Sequence, residues 1–267
     1  MKVLFIVRST LFMVRGGDTI QVEETAGHLR KIGVEVDVRK TNDVIDYDRY
    51  NLLHFFNIIR PADILAHIKK SGKPFVVSTI LVDYSLYDKK ERPGFSGKIF
   101  RLLPTGTIEY AKTLYRHFSG QEKLVSTSYI WMGQRRSIKT ILKKASCVLV
   151  QAGEEYAELV RLYQVPAPHA VIQNGVNMQL MQIRKPFFRN ENLVLCVARI
   201  EGIKNQYNLI KALNNTQYDL LLIGNASPNQ EKYYQQCKKI AADNISFIRH
   251  LHTGWRSQWC AAARRIY

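Results

Sequence analysis

Two pairs of residues in this sequence have the types and spacing to handle a phosphate. The first is Gly16-Gly17 in RGGDTIQ (15–21), which follows the apolar run KVLFIVRST and opens a helix-like segment. Without a Cβ, such a backbone lets a phosphate oxygen come close and lets the loop take positive φ. The same residues equally describe a tight turn feeding a helix capped by Asp18, with Gln21 in a variant of the capping box. The second pair is Arg199 and Lys204 in CVARIEGIKNQYNLIKAL (196–213), where a strand ends at Arg199 and a helix begins near Lys204. Two cations at a strand's carboxyl end beside a helix N-terminus suit a diphosphate and neutralise charge on a leaving group. A solvated surface pair is the competing reading, because most lysines and arginines are exposed. No G-x-G-x-x-G fingerprint and no Walker P-loop occur, which disfavours a nicotinamide, flavin or P-loop enzyme.

The elements that must position these residues alternate between strand and helix periods. VLFIV (3–7) reads as a buried strand, 19–32 as a helix ended by Gly33, and VEVDV (34–38) as a strand. LLHFF (52–56) precedes a helix that starts at Pro61 and closes at Gly72, and FVVSTIL (75–81) follows as a strand. After a polar connection and a basic segment, helical in pieces, come CVLV (147–150), a helix at 154–163 and AVIQ (170–173). Residues 177–191 lack a period and read as a linker. The alternation then restarts with LVLCVARI (193–200), a helix near 204–214, DLLLIG (219–224), a helix near 229–241, ISFI (245–248) and a last helical piece near 255–265. Parallel βαβ units wound on both faces of two sheets are expected, six strands in the first and three in the second. Three strands are few for a doubly wound sheet, so the second domain is expected to be incomplete.

Composition narrows the classes. Of 267 residues, 46% are apolar and 23% charged, the balance of a soluble globular chain of one or two domains. No apolar run reaches the ~20 residues a membrane-spanning helix needs, and the chain opens directly on a strand with no signal peptide expected. The four cysteines, Cys147, Cys196, Cys237 and Cys260, form no C-x-x-C pair and point to reduced thiols in the cytoplasm. The net charge of +17 calls for an anionic partner. Ten Lys or Arg against Glu109 and Glu122 place +8 of it between Lys98 and Lys144, mixed with aromatics such as Tyr110, Tyr115, Tyr129 and Trp131. This mixture suits anionic lipid, single-stranded nucleic acid, or a plain solvated face over a core stripe.

The order of these segments resembles the family 4 glycosyltransferases, over residues 1–252. It rests on the strand, Gly-Gly loop and helix at the start, then VIQNGVN, VARIEGIKNQYNLIKAL and LLLIGNASPNQEKYYQQCKKIAADNISFIRHL. The resemblance implies two facing Rossmann-like doubly wound domains of the GT-B type, at 1–175 and 192–267 with a linker at 176–191. It implies transfer of a sugar, with retention, from a nucleoside diphosphate donor to a hydroxyl acceptor in bacterial surface polysaccharide or lipid-linked glycan synthesis. Gly16 and Gly17 would face the donor diphosphate, Arg199 and Lys204 would grip it, Gly224 would open the loop under the nucleotide, and backbone near Arg249 to Leu251 would meet the base. No metal or other cofactor is expected, the two cations taking a metal's place.

The sequence departs from the family in two places. Where members often carry a histidine after the strand matching FVVSTIL, this chain has Leu81, with Asp83 two residues on. Asp83 and His54 are therefore the candidate catalytic residues, with Asn57 beside them. A turn-capping acid and a core histidine are the competing readings. The family's pair of glutamates would follow a strand after Leu251, and the tail with Trp255, Arg256 and Trp259 does not match it. The leading expectation is thus a cytoplasmic hexosyltransferase-like enzyme, with peripheral contact to anionic lipid on the inner face of the plasma membrane through 98–144 as one reading of that segment. The alternative is an inactive fragment that keeps acceptor and membrane binding. Nucleic-acid binding ranks last, since no recognition motif accompanies the charge.

Overall fold

A computed structural model describes residues 1–13, 16–81, 105–118, 126–175, 191–227 and 230–249. The chain divides into two compact units, one within residues 1–175 and one within residues 176–267. In the first unit, β1 (Lys2–Val7), β2 (Glu35–Lys40), β3 (Leu52–Phe56), β4 (Phe75–Ser78), β5 (Cys147–Val150) and β6 (His169–Val171) form one parallel sheet in the order β2-β1-β3-β4-β5-β6. Its helices are α1 (Gly17–Lys31), α2 (Pro61–Ser71), α3 (Thr105–Phe118), α4 (Ser128–Lys144) and α5 (Gly153–Tyr163).

The chain steps one way from β1 to β2 and the other way from β3 onward. Right-handed crossovers therefore put α1 on one face and the later helices on the other. Side-chain alternation along the strands agrees. Val3, Phe5, Val7 and Phe56 pack with Val22 and Ala26 of α1. Leu4, Ile6, Leu53, Phe55, Val77 and Val148 pack with Ile64 of α2, Ile138 and Ile141 of α4 and Leu159 of α5. Both faces of β1 and β3 are thus covered, which is why those strands read as unbroken apolar runs. Each side chain fully removed from water here contributes about 1.5–3 kcal/mol. Pro61 opens α2 at its first turn, where its missing N–H costs nothing, and Gly72 closes it in the left-handed region at φ 60°.

The second unit carries β7 (Leu193–Val197), β8 (Asp219–Ile223) and β9 (Ile245–Ile248), parallel in the order β7-β8-β9, with α6 (Gln206–Leu213) and α7 (Glu231–Ile240). Ile210, Leu220, Leu222, Cys237 and Ile245 form its core. The expected six and three strands are all present among the described residues. Cys147, Cys196 and Cys237 are free thiols, and burial raises the pKa of Cys196 and Cys237. No helix among the described residues is long and apolar enough to cross a membrane.

Three local expectations are corrected. Asp18 is not the cap of α1. Gly16 occupies that position in extended backbone, and Thr19 Oγ1 accepts the Gly16 N–H at 3.2 Å. Neither Gly16 nor Gly17 takes positive φ. Finally, two strands stop early: β4 at Ser78 and not Leu81, β7 at Val197 and not Arg199.

Candidate functional site

In an open parallel sheet, ligands meet the carboxyl ends of the strands where the strand order reverses, here between β1 and β3. At that end β1 runs into Arg8, whose Nε donates to Asp18 Oδ2 at 2.9 Å and whose Nη1 donates to Thr10 Oγ1 at 2.8 Å. The arginine thereby neutralises the acid in the first turn of α1. Thr19, fully buried, donates its hydroxyl to the Leu11 carbonyl at 3.1 Å and so ties the start of α1 to the segment after β1. A Cβ built on Gly17 would meet no atom within 4 Å, so the packing of the chain makes no demand for glycine there.

His54 lies inside the sheet. Its Nε2 is 2.8 Å from Ser78 Oγ, and its ring stacks on Phe56 at 4.2 Å and meets the edge of Phe5 at 4.7 Å. Burial pushes its pKa down to about 3, so the ring is neutral at ordinary pH. Just beyond it, Asn57 holds φ 73° and accepts the Ile59 N–H on its own Oδ1 at 3.2 Å, an Asx-type turn. Ile80, after β4, holds φ 43°, a conformation that costs a β-branched residue energy. Glu155, in the first turn of α5, ties this edge down. Its Oε1 accepts from Thr79 Oγ1 at 2.5 Å and from the Leu81 N–H at 2.8 Å, and its Oε2 accepts the Gln151 N–H at 2.6 Å. Positive φ at Asn57 and Ile80 thus falls just past the carboxyl ends of β3 and β4, with Ile80 held between the Glu155 contacts of Thr79 and Leu81.

In the second unit the cations stand differently. Beyond β7, Ile200 bridges to Ala226, and the loop that follows β8 is zipped to it by Ile200 N–H to Asn225 O at 2.9 Å and Ser227 N–H to Ile200 O at 3.1 Å. Gly224 sits here at φ 158°, where a Cβ would lie 1.9 Å from the Ala198 carbonyl oxygen. Only glycine fits, and the reason is contact between two loops of the chain. A 3-10 turn at Gly202–Lys204 and Asn205 in the left-handed region then lead into α6. The Arg199 side chain is 43% exposed, with Nη2 3.6 Å from Glu201 Oε1. Lys204 is exposed, and among the described residues its ammonium has no partner. Glu201 is buried, and its Oε2 accepts the Ser227 hydroxyl at 2.7 Å. Gln206, 1% exposed, braces the turn by donating to the Arg199 carbonyl at 2.9 Å. Two guanidinium- and ammonium-type donors therefore project beside a glycine-tight loop at the carboxyl end of a parallel sheet.

Gly16 and Gly17, at the start of α1, and Asn57, after β3, lie at the carboxyl edge of the first sheet, whereas His54 is a buried, neutral residue in the middle of β3; Arg199, Lys204 and Gly224 lie at the carboxyl edge of the second. Asp83 and Leu251 lie outside the described residues, as do the tail and 176–190. Arg249 is described, its guanidinium 5.2 Å above the Tyr234 ring and 3.7 Å from Glu231 Oε1. Glu155 and Glu201 were missed by the sequence reading. The position of Glu155 three residues past the extended Ala152 was a usable signal, and Glu201 gave none.

No protein-family model matches the sequence, and no curated protein matches it. Solved structures do share the fold. Sucrose-phosphate synthase from Thermosynechococcus elongatus aligns with a TM-score of 0.62 at 16% identity over 94% of this chain and 70% of its own. Anabaena HepE in complex with UDP-glucose aligns at 0.56 and 14%, over 94% of this chain and 69% of its own. The lipopolysaccharide outer core galactosyltransferase WaaB, in its apo form, aligns at 0.53 and 14%, over 100% of this chain and 71% of its own. The fold is that of the GT-B glycosyltransferases.

Proposed function

We propose that this chain is a glycosyltransferase of the family 4 type that takes a sugar from a nucleoside diphosphate donor and passes it, with retention, to a hydroxyl acceptor. The observation that carries the reading is the pair Arg199 and Lys204. Both present charged donors at the carboxyl end of β7 beside the loop that Gly224 makes tight. Such donors hold a diphosphate and stabilise it as it leaves, the part a metal plays elsewhere. The fold supports the same reading, since HepE, which shares it, is seen with UDP-glucose. Asp83 and residues near Leu251 enter this proposal only as contacts for sugar and base.

The acceptor is a membrane-associated glycan, reached from the cytoplasmic side. Between Ser128 and Lys144, α4 bears Arg135, Arg136, Lys139, Lys143 and Lys144 with no acid, and Trp131 is 87% exposed. Cations with an exposed indole suit an anionic lipid surface. Cosedimentation with phosphatidylglycerol vesicles, lost in an Arg135→Glu, Arg136→Glu variant and absent with phosphatidylcholine, supports this contact. Equal binding to both lipids removes it.

The transfer reading is tested by incubating the protein with labelled UDP-, GDP- and ADP-sugars and following sugar release or transfer. Arg199→Ala with Lys204→Ala is expected to weaken binding of the matching nucleoside diphosphate by about 1.5–3 kcal/mol per charged hydrogen bond lost. Unchanged binding assigns the pair to solvent. Nucleotide binding without any sugar release supports the inactive alternative.

A further inference from the structure

We infer that Glu201 is a positioning residue that aims Arg199 at the donor's diphosphate, an inference that rests on the function proposed above. Among the described residues, Glu201 Oε1 is buried with no hydrogen-bond donor to it, and its one charged neighbour is the Arg199 guanidinium, whose Nη2 is 3.6 Å away. The other oxygen is fixed, since Ser227, itself buried, donates its hydroxyl to Oε2 at 2.7 Å. The backbone on either side is fixed as well. Gln206 accepts the Glu201 N–H on Oε1 at 3.4 Å and donates to the Arg199 carbonyl, and Gln230 Oε1 accepts the Gly202 N–H at 3.3 Å. Ser227, Glu201 and Arg199 thus form a chain that runs from the loop after β8 to the loop after β7.

An arginine side chain has five N–H donors, and one edge of it directed at Glu201 leaves the rest for an anion. Half-exposed and, among the described residues, with no other partner, Arg199 would sample many rotamers without that anchor, and ordering it on binding would weaken affinity. A carboxylate merely near the site acts in the opposite sense, because it repels a diphosphate. Neutralising Glu201 therefore has opposite signs under the two roles. Aiming predicts weaker binding, and repulsion predicts tighter binding.

The experiment is a double-mutant cycle on the full chain, reading the Kd of the nucleoside diphosphate that the donor screen selects, with thermal melts as the check on folding. Arg199→Ala is expected to weaken binding by about 10- to 100-fold. Glu201→Gln is expected to weaken it by about 3- to 10-fold, and to have no further effect in the Arg199→Ala background. Ser227→Ala, which removes the hydroxyl without altering charge, is expected to shift Kd in the same direction and by less. Glu201→Asp, which keeps the charge, is expected to recover part of the loss. Tighter or unchanged binding in folded Glu201→Gln, or a loss that persists in the Arg199→Ala background, overturns the inference and leaves the diphosphate reading standing. An Arg199→Ala protein that binds like the parent overturns both.

Discussion

The carboxyl edges of the two sheets hold similar side chains in opposite conditions. In the first unit the charged and polar groups satisfy one another: Arg8 pairs with Asp18, Glu155 accepts three donors, and His54 meets Ser78 inside the sheet. In the second, among the described residues, Lys204 has no partner and Arg199 stands half-exposed against a single carboxylate. A cation that a fold has already paired is part of the fold. One left with spare donors at a sheet's carboxyl end is available to a ligand. The first edge is thus closed by its own bonds, and the second keeps the spare donors that the proposed diphosphate contact needs.

Acid should break the first edge before the second. His54 and His67 have folded-state pKa values of about 3 and about 4, both lowered chiefly by burial, against an ordinary value of 6.5. His67 bridges Tyr47 OH at 2.6 Å and Thr41 Oγ1 at 2.9 Å within the first unit. Between pH 6.5 and these values the unfolded chain binds protons that the folded chain does not. Stability therefore falls as pH is lowered through that window, by about 1.4 kcal/mol per pH unit for each histidine, and is unaffected by them above it. The second unit has no histidine among its described residues. Hydrogen exchange at pH 5 should show β1 and β3 losing protection ahead of β8. Simultaneous loss in both units would show that the two edges differ less than their bonds imply.

A smaller effect isolates the staple at that edge. Glu155→Ala leaves the Leu81 and Gln151 N–H groups without their side-chain acceptor and the Thr79 hydroxyl with only the longer bond to the Leu149 carbonyl. The expected cost is about 1–3 kcal/mol, seen as a lower denaturation midpoint, with nucleoside diphosphate affinity kept. A change in that affinity without a change in stability would move Glu155 from scaffold to site.

Much of this scaffold was legible in the sequence. Continuous apolar runs gave β1, β3 and β4, and Pro61 and Gly72 bounded α2, because those signals act through local backbone geometry and burial. Asp18 misled because any acid ahead of an apolar period looks like a cap, and only the fold shows that Arg8 holds it from ten residues away. Glu201 was silent for the same reason, since its partner Ser227 is 26 residues distant, and the helix-start position of Glu155 gave no sign of Thr79, 76 residues away. Ile80 was read as strand because its type favours one, and the tertiary ties of Thr79 and Leu81 override that preference. Arg199 and Lys204 were visible as a pair, but spacing carries no record of which cation a carboxylate already occupies.

The smallest effect on stability bears on Gly17, where a glycine stands without a packing reason. Since a Cβ there meets nothing within 4 Å and its φ is not positive, Gly17→Ala should leave the fold intact or stabilise α1 by up to about 1 kcal/mol. Gly224 is the opposite case, because alanine there collides with the Ala198 carbonyl and should unfold the second unit's loop. If a phosphate approaches the backbone at Gly17, the added methyl occupies its place. Nucleotide-sugar affinity should then fall roughly tenfold, the equivalent of one hydrogen bond, while the melting temperature holds. Unaltered affinity would make Gly16-Gly17 a turn and no more. The diphosphate would then belong to Arg199 and Lys204 alone, and the first sheet's edge would serve the acceptor.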